Sequence, residues 1–487
     1  MRLSAAATPL VGHPARWPSY RPEQTGKGIV HLGLGAFARA HIAAYTDGAI
    51  AVAGGDWRIT GVSLRGEDVA NTLNVQDGRY TLIERGETPT ARVVASIAGV
   101  IAGNDLSKRV LEAISNPTCR IVSITVTEKG YGLLRSGGCD VSHPAVAADL
   151  LNPSSPRGAL GLIAQGLALR FANGLAPCAV LCCDNLPENG ALLRAAVIDF
   201  ARHAHGSALA ERIAAEVSFP STMVDRITPA ATTRTRADAA ALTGYEDQAA
   251  IETEPFSQWV IEDYFPSGRP SWQDAGAIFV PDVAPYEKMK LRMLNGSHSM
   301  LAYAGFLSGK TYVCDVMADA DLSRLVRRHM EAAAATLPTV AMDLAAYATS
   351  LCERFSNPAI AHETRQIAMD GTQKLPQRIF APAFEMLQRG GDLAPFAFTT
   401  AAWMRYALGR NDAGQSYPLN DPREGEIQAA LASITTESPA TVFSALAAIP
   451  DFLPEQLAQG EFAEATIGRL ERILGLGMVK AIAAETE

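Results

Sequence analysis

The chain has 487 residues, 48% apolar and 19% charged, which fits a globular protein of two or three domains and excludes a disordered or fibrous one. Its net charge of −9 is spread over mixed acids and bases, without the basic stripe that selects a phosphate backbone, so nucleic acid is not an expected partner. No run reaches the roughly 18 uncharged apolar residues of a membrane span, and Pro9 and Pro14 interrupt the short N-terminal apolar run before a signal core forms.

A cytoplasmic protein is therefore expected. The 7 cysteines, an odd number scattered over a long chain, match reduced thiols rather than a disulfide framework. Cys182 and Cys183 are adjacent but lack a second Cys or His pair at zinc spacing, so they read as buried strand residues and no metal site is expected.

In chain order, the first expected strand covers residues 28–33 and runs into Gly33-Leu-Gly35-Ala36-Phe37-Ala38 and a helix through Arg39, His41 and Tyr45. This is G-x-G-x-x-A, a variant dinucleotide fingerprint. The first glycine permits the turn, the second lets the backbone approach a pyrophosphate, and Ala38 allows close helix packing. A second strand over 57–64 ends in Arg65-Gly66-Glu67-Asp68. Carboxylates there can hold the adenosine ribose hydroxyls and repel a 2′-phosphate, which favours NAD, while Arg65 could accept that phosphate. Glu67 and Asp68 also suit a helix N-terminus, stabilised by the helix dipole.

Buried-strand runs follow at 120–126 and 178–183, each ending in polar residues: Thr127-Glu128-Lys129 after the first, Asp184-Asn185 after the second. Ligands of open α/β sheets gather at such carboxyl ends, although a polar loop after a strand is commonly plain surface. The candidate cofactor contacts are Gly33, Gly35, Ala36, Phe37, Arg39, Glu67, Asp68 and Glu128. Residues 191–204 read as an amphipathic helix, 219–229 as an irregular stretch with Asp225-Arg226 between prolines, and 254–265 as strand and turn. The Asp-Arg pair suits a structural ion pair as well as a functional role.

Beyond Pro285, Ala- and Leu-rich helices dominate, at 287–306, 319–336, 343–353, 376–390, 396–408 and 464–484. The expected division is therefore 1–283 and 284–487. The first of these helices carries Glu287, Lys290, Asn295 and His298. At about 100° per residue they would share one face, an arc of about 140°. A solvated charged face gives the same spacing. Leu291, Met293, Leu294, Met300 and Leu301 flank the group, however, and a lysine surrounded by protein is how an amine becomes a general base.

These residues resemble the mannitol dehydrogenase family of polyol-specific long-chain dehydrogenases, nearly end to end. The markers are Ile29–His41, Thr125–Tyr131, Cys183–Pro187, Met223–Pro229, Pro255–Asp263 and Lys290–His298. The resemblance implies a Rossmann-like NAD-binding domain followed by a mostly α-helical domain, and zinc-independent hydride transfer to NAD from a secondary alcohol. Matched to the family's K-x4-N-x2-H motif, Lys290 is the general base, and Asn295 with Asn185 forms the oxyanion hole. His298 and Asp225 position sugar hydroxyls, and Glu287 passes the lysine's proton to solvent. Ala36 and Ala38 depart from the family's glycine or histidine in the first βα turn.

Two features favour a hexuronate, the D-mannonate/D-fructuronate pair, over a plain polyol. One is Arg292, where mannitol enzymes more often carry an uncharged residue. The other is Arg365–Arg378, similar to fructuronate reductases and containing Lys374, which the resemblance implies would contact substrate in either subfamily. A substrate carboxylate needs a cationic partner, and arginine pairs with it bidentately. A helix-surface salt bridge is the other reading of Arg292 and Arg378. Mannitol, sorbitol or arabitol are the alternative substrates, and a non-catalytic nucleotide-binding protein is the alternative class. The expected partner is a small molecule; whether the chain is a monomer or a small homo-oligomer stays open.

Overall fold

The computed structural model describes every residue except 127–129, 135–136 and 435–437, and its contacts divide the chain into Met1–Ala284 and Pro285–Glu487. The first unit contains β1 (Lys27–Leu32), β2 (Arg58–Val62), β3 (Tyr80–Glu84), β4 (Thr90–Val94), β5 (Ile97–Ile101), β6 (Ile121–Ile124), β7 (Ala179–Cys182), β8 (Thr222–Asp225), β9 (Ile251–Thr253), β10 (Gln258–Glu262) and β11 (Ile278–Val280).

Five of them form a parallel sheet in the order β5-β2-β1-β6-β7. Such strands are covered on both faces and read as continuous apolar runs; in β1 only Lys27 is exposed. The one polar residue inside it, His31, has Nδ1 2.8 Å from Ser123 Oγ and Nε2 2.9 Å from Thr125 Oγ1. Burial pushes its pKa down to about 3, so the imidazole is a neutral tie between β1 and β6. The strand order reverses at β1, which makes its carboxyl end the topological switch point where ligands of such sheets bind.

Two differences from the sequence reading stand out in this unit. The stretch read as irregular contains β8, antiparallel to β10 with Asp225 opposite Gln258; at 4 residues, all buried, it is too short to show alternation. The first helix is also not continuous, since Ala36–Ala40 ends at His41 (φ −113°, ψ −93°) and Ile42–Ala53 begins anew.

The second unit is helical. Trp403, Tyr303, Phe380, Phe396 and Phe462 are its fully buried large side chains. Two of its turns are π-helices, Lys290–Asn295 and Pro376–Phe380, each joined to α-helix on both sides. Such turns are rare and concentrate at functional sites. Two glycines allow the close packing around them. A Cβ on Gly296 would lie 2.9 Å from His329 Nε2 and 3.2 Å from the Arg378 carbonyl oxygen, and one on Gly371 would lie 2.4 Å from Trp403 Nε1. No helix among the described residues is long and apolar enough to cross a membrane.

Candidate active site

In the sheet unit, the turn after β1 has the geometry a pyrophosphate needs. Gly33 has φ +90°, and a Cβ there would lie 2.0 Å from the Thr125 carbonyl oxygen, so only glycine fits. Gly35 differs: its added Cβ would meet nothing nearer than the Gly33 carbonyl oxygen at 4.0 Å. That leaves an open cradle at the N-cap of the Ala36–Ala40 helix, and these residues fit a dinucleotide. Phe37 stacks on His41, with centroids 5.1 Å apart.

The Arg39 side chain is bonded inward. Its Nη1 donates to the Ala249 carbonyl at 2.5 Å, Nε donates to the Gly35 carbonyl at 3.3 Å, and the guanidinium lies 5.6 Å from the Tyr80 ring centre. These bonds brace the turn. Glu67 and Asp68 are exposed at the N-cap and first position of the helix Asp68–Asn74, where the helix dipole favours acids. The turn before them is closed by the Ser63 hydroxyl donating to the Gly66 carbonyl at 2.6 Å. Glu128 lies outside the described residues.

After β7, Asn185 is exposed and its neighbours are fixed. Asp184 Oδ2 accepts from the Val126 N–H at 2.7 Å and from the Tyr131 hydroxyl. Asn189 Nδ2 donates to the carbonyls of Asp184 (2.9 Å) and Thr222 (2.8 Å). Burial pushes the Asp184 carboxyl up to about 6, against the lowering effect of the two donors. Asn189, buried at the start of a helix, was missed by the sequence reading; a side-chain amide beside a Pro-Gly turn was its only signal. Asp225 is buried at the end of β8. Arg226 does not form the expected pair with it; it donates to Glu84 Oε1 at 2.8 Å and to the Ala40 carbonyl at 2.7 Å.

In the helical unit, the π-turn replaces the expected α-helical spacing from Lys290 to Asn295. Hydrogen bonding from i to i+5 puts more than 3.6 residues in a turn, which returns Asn295 closer to the side of Lys290 than the expected arc. Lys290 is buried, Glu287 and Asn295 half-buried. His298 lies in the first turn of the next helix, buried, with its ring 4.6 Å from Phe355 and 5.4 Å from His362; Nε2 has no hydrogen-bond partner among the described residues. Its pKa is held well below the usual histidine value by burial and by His362, Arg354, Arg378 and Lys374.

Arg378, on the second π-turn, directs Nη1 to the Asn295 carbonyl (3.3 Å) and the Ser299 hydroxyl (3.4 Å), and burial lowers it to about 10. Lys374 donates to the carbonyls of Ile367 (3.1 Å) and Met369 (2.6 Å) and lies 3.6 Å from Asp370. Arg365 is exposed, and its charge partly opposes the burial that pushes the Tyr406 hydroxyl up to about 12.

Arg292 does not join this group. Nη1 and Nη2 grip Glu385 at 2.8 and 2.6 Å, and Nη1 also reaches Thr336. The guanidinium is committed to a structural ion pair, the other reading its sequence allowed. Arg354 and His362 were missed; they belong to the loop and helix end just before Arg365, and only folding brings them to His298.

Comparison with known proteins decides the family. Residues 27–274 match the mannitol dehydrogenase Rossmann domain and residues 282–468 the mannitol dehydrogenase C-terminal domain. The chain belongs to the mannitol dehydrogenase family. This family member is 39% identical to the uncharacterized oxidoreductase YeiQ of Escherichia coli (strain K12), over 99% of each chain. It is 44% identical to D-mannonate oxidoreductase of the same organism, covering 85% of this chain and 87% of that one. Among solved structures, mannitol 2-dehydrogenase of Pseudomonas fluorescens, in a ternary complex with NAD and D-mannitol, superposes with a TM-score of 0.80 at 35% identity, over 99% of both chains. The mannitol dehydrogenase family member described here is accordingly an oxidoreductase.

Proposed function

We propose that the chain interconverts D-mannonate and D-fructuronate. Its coarser activity follows from its family: it is an NAD-dependent oxidoreductase acting on a secondary alcohol of a polyol or sugar acid. The observation that carries the finer reading is the charge around His298, where Arg354, Lys374 and Arg378 act on one buried imidazole that also faces the uncharged His362 ring. Positive charge gathered about a buried, uncharged polar group favours an anionic ligand, and a sugar acid supplies the carboxylate. The 44% identity to a D-mannonate oxidoreductase supports the same substrate.

In this reading the buried Lys290 takes the hydroxyl proton and Glu287 passes it to solvent. Asn295 donates to the substrate oxygen as charge develops there, and neutral His298 orients a neighbouring hydroxyl. Bound NAD supplies the hydride acceptor. The roles implied for Asn185 and Asp225 in the sheet unit belong to the same proposal.

A polyol is the second reading, favoured by the commitment of Arg292 to Glu385, which removes one cation counted toward a carboxylate. Initial rates of NADH oxidation with D-fructuronate, D-tagaturonate and D-fructose test both. The expected result is a kcat/KM for D-fructuronate above that for D-fructose by about tenfold or more, the value of one charge-assisted contact. D-fructose as the best substrate would overturn the sugar-acid reading and leave the polyol one.

A further inference from the structure

Apart from the residues assigned above, one group of side chains in the sheet unit has the composition of a metal site. Cys139, Asp199 and His203 offer a thiol, a carboxylate and an imidazole whose ligand atoms all lie within 4.8 Å of one another. Cys139 Sγ is 3.5 Å from Asp199 Oδ2, and Asp199 Oδ1 is 3.6 Å from His203 Nδ1. A tetrahedral zinc ion with Zn–S of about 2.3 Å and Zn–N and Zn–O of about 2.0 Å sets its ligand atoms roughly 3.3–3.5 Å apart. The two distances run to different oxygens of Asp199, and the three ligand atoms lie within 4.8 Å of one another, so rotation of the side chains is needed to bring them to coordination spacing around an ion.

The backbone builds this closeness. Asp199 and His203 are four residues apart on the helix Asn189–His205, so they share a face. Leu133 and Cys139 form an antiparallel bridge, and the Leu134 N–H donates to the Gly138 carbonyl at 3.1 Å. The Cys139 N–H itself donates to Asp199 Oδ2 at 3.1 Å. At Gly138 (φ +98°) a Cβ would lie 2.9 Å from that same oxygen, so glycine lets the turn lie against the carboxylate. Cys139 is buried, while the side chains of Asp199 and His203 are 28% and 47% exposed. An ion held there has its thiolate on the protein side and a coordination position open to water.

Two groups compete for these ligands. Arg202 Nη1 lies 3.7 Å from Asp199 Oδ1, but its side chain is exposed and can swing away. His203 Nδ1 is 2.9 Å from the Asp199 carbonyl oxygen, and binding through it exchanges that hydrogen bond for a metal–nitrogen bond. A thiolate with an imidazole and one carboxylate selects Zn2+, Co2+ or Cd2+ over Mg2+ and Ca2+. The spacing of 60 residues between Cys139 and Asp199 matches no zinc motif, and the expectation of no metal rested on Cys182 and Cys183 alone.

We propose that Cys139, Asp199 and His203 bind one thiophilic divalent cation, which clamps the Leu133–Cys139 bridge to the helix Asn189–His205. The S–metal bond forms as the thiol proton leaves to the buffer, and no electron is transferred. The helix begins at Asn189, which holds the loop after β7, so the clamp stabilises the frame of that loop and takes no part in hydride transfer.

The test is a Co2+ titration of the full-length protein after chelator treatment. One equivalent should bind with a near-ultraviolet thiolate-to-cobalt charge-transfer band and visible d–d bands, be displaced by Zn2+, and resist excess Mg2+. Cys139→Ser should abolish the charge-transfer band, and His203→Ala should weaken Zn2+ binding at least about tenfold; Cys314→Ser, a change at a thiol outside the group, should leave both intact. Zn2+ should raise Tm in the native protein but not in Cys139→Ser, and metal-free turnover should be equal in the two. Because His203 is half-exposed, His203→Ala carries the test if Cys139→Ser does not fold. Absence of the band, its persistence in Cys139→Ser, or unchanged Zn2+ affinity in His203→Ala would overturn the site.

Discussion

Most buried arginines of the sheet unit are held differently from Arg378 beside His298. In the sheet unit, Arg85 is held by Asp238 and Glu252, Arg226 by Glu84, and Arg79 by Glu23, while Arg170 donates to the carbonyls of Ile114, Asn116 and Ala176. Around His298, Arg354, Lys374 and Arg378 bear on one imidazole; Lys374 lies 3.6 Å from Asp370, whereas Arg378 donates to two neutral oxygens, the Asn295 carbonyl and the Ser299 hydroxyl. A cation bonded to its own carboxylate cannot recruit another without leaving a buried charge alone. One bonded to carbonyls and hydroxyls keeps its field for a ligand.

Lys290→Ala tests the site as a whole and carries the largest expected effect. Removal of a general base lowers turnover by about 10²–10⁴-fold, with partial recovery at high pH or with added primary amines. The check is steady-state NADH formation from D-mannonate; native turnover in the variant would remove Lys290 from the mechanism.

Arg292 and Arg378 test the difference between paired and unpaired charge within the helical unit. Arg292→Met should cost about 3 kcal/mol of stability, the low end for a broken buried pair because Glu385 is 30% exposed, and leave KM unchanged. Arg378→Met should raise KM for D-fructuronate about ten- to a hundredfold, with little effect on KM for D-fructose. Chemical denaturation and initial rates on both variants provide the readout, and an exchange of the two phenotypes would reverse the assignment.

The same contrast explains what the sequence could and could not reveal. Elements built on local rules were legible: the 28–33 run appears as β1, the 178–183 run as β7, and the glycines of the first turn where fingerprint chemistry puts them. Lys290, Asn295 and His298 were singled out as candidates by their spacing and by the family motif they match. Their geometry was not, because nothing in Lys-Leu-Arg-Met-Leu-Asn distinguishes a π-turn from an α-turn; Gly296 and Gly371 owe their places to packing against His329 and Trp403. Arg292 looked like a substrate residue because its partner, Glu385, lies 93 residues away. Arg354 and His362 were hidden for the same reason.

Asp184→Asn tests whether the loop after β7 is held by a neutral or a charged carboxyl. The folded pKa of about 6 lies above the ordinary 3.8, so the group's contribution is complete below pH 3.8 and is lost as pH rises through 6, about 3 kcal/mol in all. Asparagine keeps an acceptor for the Val126 N–H and the Tyr131 hydroxyl but cannot ionise. The stability of Asp184→Asn relative to the native protein should therefore increase between pH 4 and pH 7.5, as read from Tm. His31, His298 and His329, all lowered by burial, slope the opposite way, with stability lost as pH falls below their ordinary 6.5, but they cancel in the difference. A pH-independent difference would show that the carboxyl does not titrate in this window.

The smallest effect is expected at Gly35, where the sheet unit makes room for a ligand rather than a partner for a charge. At φ −89° and ψ −170° alanine is allowed, and the nearest atom to its Cβ is 4.0 Å away, so Gly35→Ala should keep native stability within about 1 kcal/mol. The added methyl occupies space through which a pyrophosphate would approach the backbone, and the Kd for NAD should rise about tenfold. Gly33→Ala is the contrasting variant: its Cβ would lie 2.0 Å from a backbone carbonyl oxygen at φ +90°, and folding itself should fail. Calorimetric titration of Gly35→Ala with NAD decides the point. Native affinity would mean that the dinucleotide does not lie in this cradle, whatever the fingerprint spells, whereas weakened binding in an intact fold separates the glycine that shapes the turn from the glycine that admits the cofactor.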